Sequence, residues 1–196
     1  MNRQSFFAGI LIGLGAFGFL ALGGGIPGAV IFAFGLIGVV LSGTPLYTGR
    51  AGVMKLKETP SLLMIWLFNV LACVLIGLMV KGINGDGKVV QYAQEVVAGR
   101  FQQGFGGSFL RAIGCGLIID IACWMYRSTK NILPVLFGVP LFILCGFYHS
   151  IADVVYLVAA FEWHPEILWY YPAIFLGNYI GCNVRRIVLP KDFAIK

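Results

Sequence analysis

The sequence predicts an all-α membrane protein: a single transmembrane domain over residues 1–196, built from six spans of which the second and fifth are broken. Three observations carry that expectation. Hydrophobic residues make up 59% of the chain and charged residues only 11%, against about 25% charged in soluble domains. Apolar runs of bilayer length, roughly 20 residues, recur six times. The second and fifth runs are overlong, and glycine and proline interrupt both.

The first run covers residues 6–22 and ends at Gly23-Gly24-Gly25-Ile26-Pro27. No signal peptide is expected, because no small-residue cleavage site separates this run from a polar mature start. The second run covers 28–54 and is interrupted at 42–45 by Ser42-Gly43-Thr44-Pro45. The third, 61–80, is free of charge. A polar segment at 81–107 follows, with a weakly amphipathic piece marked by Val89, Val90, Ala93, Val96 and Val97. The fourth run covers 108–126. The fifth, 132–161, holds Pro134, Pro140 and Gly146, and the sixth covers 167–184.

Two halves of three spans each insert in opposite orientations, which makes the chain an inverted repeat. Paired broken helices in such a repeat point to a pathway at the bilayer midplane. Non-helical backbone survives at that depth only where it is buried or lines water. Within the fifth run, His149 and Asp153 stand four residues apart, the spacing that stacks two side chains on one helix face. Ionisable groups at membrane depth are costly and mark pathways.

The net charge of +6 lies in short blocks between apolar runs. That pattern sets topology and offers no nucleic-acid-binding face. With the N-terminus inside, Arg3, Arg50, Lys55, Lys57, Arg127, Lys130, Arg185, Arg186, Lys191 and Lys196 are cytoplasmic, while Lys81, Lys88, Arg100 and Arg111 are outside. Ten against four predicts cytoplasmic termini in a multi-pass cell (inner) membrane protein. The five cysteines lie in apolar runs without a CxxC pair and read as free buried thiols. His149 and His164 lack ligand partners at metal spacing, so no metal and no cofactor is expected. The sequence holds no phosphate loop and no nucleophile elbow, and an enzyme is not expected.

Five short motifs, in order and spacing, resemble the formate/nitrite transporter family over almost the whole chain. Gly146-Phe147-Tyr148-His149-Ser150-Ile151-Ala152 is similar to its GFxHSIA signature, and Leu46-Tyr47-Thr48-Gly49 to its L[FY]TG loop. Phe109 to Cys115 resembles FLRGIxC, and Trp66 with Asn69, and Gly177-Asn178 with Gly181, resemble its W..N and GN..G elements. The resemblance implies an aquaporin-like fold, one pore per protomer, a homopentamer, and passage of small monovalent weak-acid anions: formate first, nitrite or hydrosulfide second. It also implies site residues. Leu46 belongs to a constriction at the break of span two, with Phe32 one helix earlier on the same constriction. Phe142 forms the other ring, His149 lies between the rings, and Thr48 hydrogen-bonds His149. Tyr47 belongs to the same loop.

A bare anion entering a low-dielectric constriction meets a Born cost idealised at about 20 kcal/mol. Either a proton joins the anion near His149, or protonated His149 accompanies it. Both schemes need a cation at the mouth, and the resemblance puts Arg100 there, where the family usually has lysine. Arginine keeps the charge and holds its proton more firmly. The family's asparagines are replaced by Gly116, Val74 and Asp153, and Asp120 is an additional buried carboxylate. Both carboxylates would repel anions if ionised and unpaired, so at least one is expected to be protonated or paired with arginine. Asp120 reads as structural, and Arg111 as an interfacial snorkelling residue. By default Phe32, Phe142 and His149 read as packed core or lipid-facing groups; their alignment with the motifs argues otherwise. A neutral-solute pore is one rival reading, although NPA repeats are absent. A sensory protein that has lost conduction is another.

Overall fold

The structure, a computed structural model, describes residues 2–162, 164–190 and 193, with the side chain of Leu56 excepted. Lys191 and Lys196 of the topology count lie outside them. In chain order the helices are α1 (Asn2–Ala21), α2 (Gly25–Ser42), α3 (Tyr47–Ala51), a 3-10 turn (Leu56–Glu58), α4 (Thr59–Asn84), α5 (Lys88–Phe101), α6 (Gly104–Thr129), α7 (Leu133–Leu144), α8 (Ala152–Ala160) and α9 (Ile167–Val188).

Six spans result: α1, α2 with α3, α4, α6, α7 with α8, and α9. Four of these helices are long and apolar enough to cross a membrane unaided: α1, α2, α4 and α6. The fifth span is divided between α7 and α8. The sixth, α9, carries Asn178, Asn183, Arg185 and Arg186, which lower its hydropathy. The polar segment between the halves folds as α5, and the apolar positions Val90, Ala93 and Val97 are its buried face. Pro134 opens α7, where its missing N–H costs nothing, and Asn131 Oδ1 caps the helix by accepting from Leu133 N–H at 2.9 Å. Pro140 sits within α7, so the break comes later, at Gly146.

The two halves repeat one order of packing. In the first, α1 packs on α2 and α4; in the second, α6 packs on α7 and α9. The halves meet where α2 lies against α7 and α4 against α8. Both breaks open with a left-handed glycine, Gly43 at φ 66° and Gly146 at φ 67°, a conformation only glycine adopts cheaply.

A matched set of hydrogen bonds makes the repeat explicit. In the first half, Asn69 of α4 accepts from Tyr47 N–H at 2.9 Å and donates to Pro45 C=O at 3.2 Å and Ser5 C=O at 2.6 Å. In the second, Asn178 of α9 accepts from Ser150 N–H at 2.8 Å and donates to Tyr148 C=O at 2.9 Å and Ala112 C=O at 2.8 Å. Each asparagine thus clamps the residues either side of one break residue and ties them to the first helix of its own half. One turn on, Cys73 donates to Gly9 C=O at 3.3 Å and Cys182 to Gly116 C=O at 3.4 Å. All five cysteines are free; four are buried, but Cys145 at the end of α7 is exposed, contrary to the expectation for all five.

Candidate functional site

The residue held between the clamped pair is Leu46 in the first break and His149 in the second. The spacing of His149 and Asp153 suggested one helix face. Instead His149 lies in the break and α8 begins at Ala152, with Asp153 in its first turn. One link of helical type survives, Asp153 N–H to His149 C=O at 2.9 Å. Asn178 supplies the partner that the interrupted backbone lacks, which is why this apolar stretch does not continue as helix.

The two breaks meet at a single buried contact. Thr48 Oγ1 lies 3.1 Å from His149 Nε2. On the other side of the ring, Ala152 N–H donates to Nδ1 at 3.2 Å. We assign the neutral tautomer from this geometry: Nδ1 accepts from the backbone, so Nε2 carries the proton and donates to Thr48. Thr48 is in turn fixed through its carbonyl, which accepts from Cys182 Sγ at 3.1 Å.

A small cavity opens on each side of this contact. The first, about 60 Å³, is lined by residues that include Phe32, Phe142, His149, Arg100 and Asp153. The second, about 110 Å³, is lined by residues that include Leu46, Gly49, Arg50 and Arg127. The two share no lining residue. Either has room for a few water molecules or one small solute. The resemblance grouped Phe32 with Leu46 and set Phe142 apart. The structure groups the aromatics: Phe32 and Phe142 meet edge to face at 6.0 Å, and Phe142 lies 6.0 Å from the His149 ring. Phe32 lies about two turns before Val39 and Val40, the α2 residues that line the Leu46 cavity, and meets α7 through Phe142.

Tyr47 is absent from both linings. Its ring stacks on Phe175 at 4.9 Å, and its hydroxyl donates to Phe175 C=O at 3.1 Å, so it anchors α3 to α9. Asp120, fully buried, accepts from Arg185 Nε at 2.6 Å and Nη2 at 3.4 Å, while the guanidinium lies 5.0 Å from the Trp124 ring centre. It joins α6 to α9, as its structural reading required. Asp153 is also paired with arginine. Its Oδ2 accepts from Arg100 Nη1 at 2.8 Å and from the Tyr170 hydroxyl. Arg100 therefore is no free cation at the mouth; α5 packs on α8 and brings it directly to the carboxylate. Arg111 does not snorkel. It donates to Gly146 C=O at 3.2 Å and to Gln103 at 3.2 Å, bracing the second break from α6.

Sequence motifs flagged Asn69 and Asn178, but their clamping role became visible only with the folded backbone. The sequence called for an arginine beside Asp153 or Asp120 but did not say which one, and Arg100 stands 53 residues from Asp153. His164, in the turn before α9, faces Glu162 at 3.1 Å and Glu166 at 3.9 Å. No group of three metal-ligating side chains occurs among the described residues.

Comparison with known proteins gives the same architecture. The family model described as formate/nitrite transporter matches residues 1–189. An uncharacterized transporter of Bacillus subtilis (strain 168), YrhG, is 27% identical over 176 residues, covering 79% of this chain and 66% of the relative. The formate channel BtFdhC of Bacillus thuringiensis is 24% identical over 175 residues, covering 79% of this chain and 67% of the relative. The chain thus spans about two thirds of the length of these curated relatives. A solved structure described as a pentameric formate channel with formate bound aligns over 92% of this chain and 91% of its own, with TM-score 0.78 at 17% identity. Another, described as an FNT family ion channel, aligns over 93% of this chain and 85% of its own, with TM-score 0.81 at 21% identity. With six spans, an aquaporin-like inverted repeat and a family match along nearly its full length, this membrane protein belongs to the formate/nitrite transporter family.

Proposed function

We propose that this chain is a channel for small monovalent weak-acid anions, formate before nitrite or hydrosulfide, and that its pathway runs from the Phe32–Phe142–His149 cavity past Thr48 to the Leu46 cavity. The observation that carries this reading is the Thr48–His149 contact, a buried polar bridge between the two breaks with a cavity on either side. Relatives described as formate channels support the choice of formate. The neighbour described as a pentameric formate channel supports a homopentamer with one pathway per protomer. The basic residues Arg50 and Arg127 at the Leu46 cavity support placing that side, and both termini, in the cytoplasm of a cell that carries the protein in its inner membrane.

The layer's chemistry suits a weak acid. Phe32 and Phe142 exclude water, so an ion crossing there loses hydration at a cost idealised at about 20 kcal/mol. His149 offers a polar stop between the apolar layers, where its ring can hydrogen-bond the solute. No bond-making step belongs to this role, and the chain is not proposed as an enzyme.

Competitive flux of formate, nitrite and hydrosulfide through the purified protein in liposomes tests the reading. Formate should move fastest, and His149→Ala should abolish the selectivity among the three. Flux no faster than through protein-free liposomes would refute it. A neutral-solute pore is the second reading, favoured by the cancellation of Arg100 by Asp153. Liposome swelling with a solute that has no acid form separates the two, because a weak-acid channel excludes such a solute.

A further inference from the structure

The His149 cavity holds a charged pair whose bonding is incomplete. Among its lining residues the charged side chains are Arg100 and Asp153. Asp153 is 1% exposed, and the Arg100 side chain 14%. One carboxylate oxygen is fully used: Oδ2 accepts from Arg100 Nη1 at 2.8 Å and from the Tyr170 hydroxyl. The rings of Tyr148 and Tyr156 lie 4.3 Å and 5.2 Å from the guanidinium carbon and hold it in place. The other carboxylate oxygen, Oδ1, is buried with no partner, and so is Arg100 Nε. Buried polar atoms are satisfied almost without exception, so an open acceptor and an open donor in two residues lining one cavity mark places for a guest.

The guest's chemistry follows from what is open. The net charge of the pair is zero, so the cavity has no surplus cation to hold a bare anion. Arg111, the next cation, is not among the lining residues; it lies 5.8 Å from the Tyr148 ring centre and donates to Gly146 C=O and Gln103. His149 lends its Nε2 to Thr48. An anion offers only acceptors and would meet the carboxylate as a like charge. A proton-bearing weak acid offers a donor and an acceptor together: its hydroxyl can donate to Asp153 Oδ1 while its carbonyl oxygen accepts from Arg100 Nε.

We propose that Asp153 is a specificity-determining residue, forming with Arg100 an acceptor–donor subsite that takes the protonated form of a weak acid and turns away its anion. This rests on the weak-acid channel reading. The proton joins the anion in the water outside the cavity and leaves it in the water beyond, so one proton travels with each solute molecule and no net charge crosses. No bond within the protein forms or breaks.

The experiment uses formate as probe, with the full chain in liposomes. Labelled formate uptake, internal acidification and net charge movement are recorded together against protein-free liposomes. The wild-type protein should carry one proton and no net charge per formate. Asp153→Asn removes the carboxylate and leaves Arg100's charge uncancelled, so uptake should become electrogenic and approach one charge per formate. Asp153→Glu should stay electrically silent. Wild-type uptake that carries one charge per formate overturns the proposal without any variant, and leaves the weak-acid channel reading standing. Electrically silent uptake by a folded Asp153→Asn protein also overturns it. Absence of formate movement above background refutes the channel reading and this proposal together.

Discussion

Replacing Asn178 with alanine tests whether the break that presents His149 is held from outside. The side chain makes three buried bonds: Ser150 N–H at 2.8 Å, Tyr148 C=O at 2.9 Å and Ala112 C=O at 2.8 Å. They do not count equally. Ala112 lies within α6 and keeps its helical partner, so its second lone pair loses little. Ser150 and Tyr148 lie in the break and have no helix to fall back on. An orphaned buried group costs about 1–3 kcal/mol, and side-chain bonds between membrane helices average about 0.6 kcal/mol with a maximum near 1.7 kcal/mol. Two orphans therefore suggest a loss of about 3 kcal/mol, or roughly 6–12 °C in melting temperature for a chain of this size. Thermal unfolding in detergent, followed by tryptophan fluorescence, measures it. Asn69→Ala should lose a similar amount, because it orphans Tyr47 N–H and Pro45 C=O in the same way. Only the Asn178 variant should also lose the formate selectivity, since His149 stands between the two residues released. A melting point for Asn178→Ala within about 1 °C of wild type would show that the break holds its own shape, and the clamp argument would be wrong.

Three further outcomes follow from the packing and the ion pairs. Gly116→Ala places a Cβ against the Asn178 backbone, 3.0 Å from its Cα and its carbonyl carbon, and should cost about 1–3 kcal/mol by detergent melting; Gly82→Ala, with nothing within 4 Å, should be neutral or slightly stabilising. Asp120→Leu leaves Arg185 buried without its partner and should cost about 3–5 kcal/mol, whereas the double change Asp120→Leu with Arg185→Met should recover most of that in the same assay. Lys81 holds the Asp86 carboxyl below its usual range, first by hydrogen bonding and then by charge. Any contribution of Asp86 to folding is therefore present above the unfolded carboxylate range near pH 4 and fades only as pH falls through its lower folded value. This residue is fully exposed, where ion pairs contribute little, so Asp86→Asn should leave melting at pH 7 unchanged.

Much of the site was legible because its signals are local. Ser42-Gly43-Thr44-Pro45 ends α2 where the sequence predicts, since a left-handed glycine followed by proline cannot continue a helix. Gly146 opens the second break in the same left-handed conformation, though no proline follows it. The Thr48–His149 contact followed from placing two motifs in one fold, and the geometry bears that placement out. What escaped the sequence depends on long-range partners. After Gly146 no residue up to His149 forbids helix; the interruption persists because Asn178, 28 residues from Ser150 in sequence, takes the backbone's place. Arg100 looked free because the docking of α5 on α8 has no local signature. Phe32 looked like Leu46's neighbour because they share a span, yet the side a residue faces is set by the helix packed against it, and that helix is α7.

The matched clamps also locate where the two halves have diverged. Asn69 holds Pro45 and Tyr47, and Asn178 holds Tyr148 and Ser150, so the residues between, Leu46 and His149, are structural equivalents. Leu46 is apolar and lines the cavity with Arg50 and Arg127. His149 is polar and lines the cavity where Arg100 is cancelled by Asp153. On the proposed pathway, one scaffold position would serve as a water-excluding plug in the first half and as a hydrogen-bonding stop in the second. If equivalence of backbone is what positions both, then Leu46→Ala should widen the plug and let solutes leak without disturbing His149. Swelling of liposomes with a small neutral solute would increase, while stability falls by about 2–5 kcal/mol for the buried leucine removed. Unchanged exclusion of that solute would mean that the apolar seal lies elsewhere along the chain.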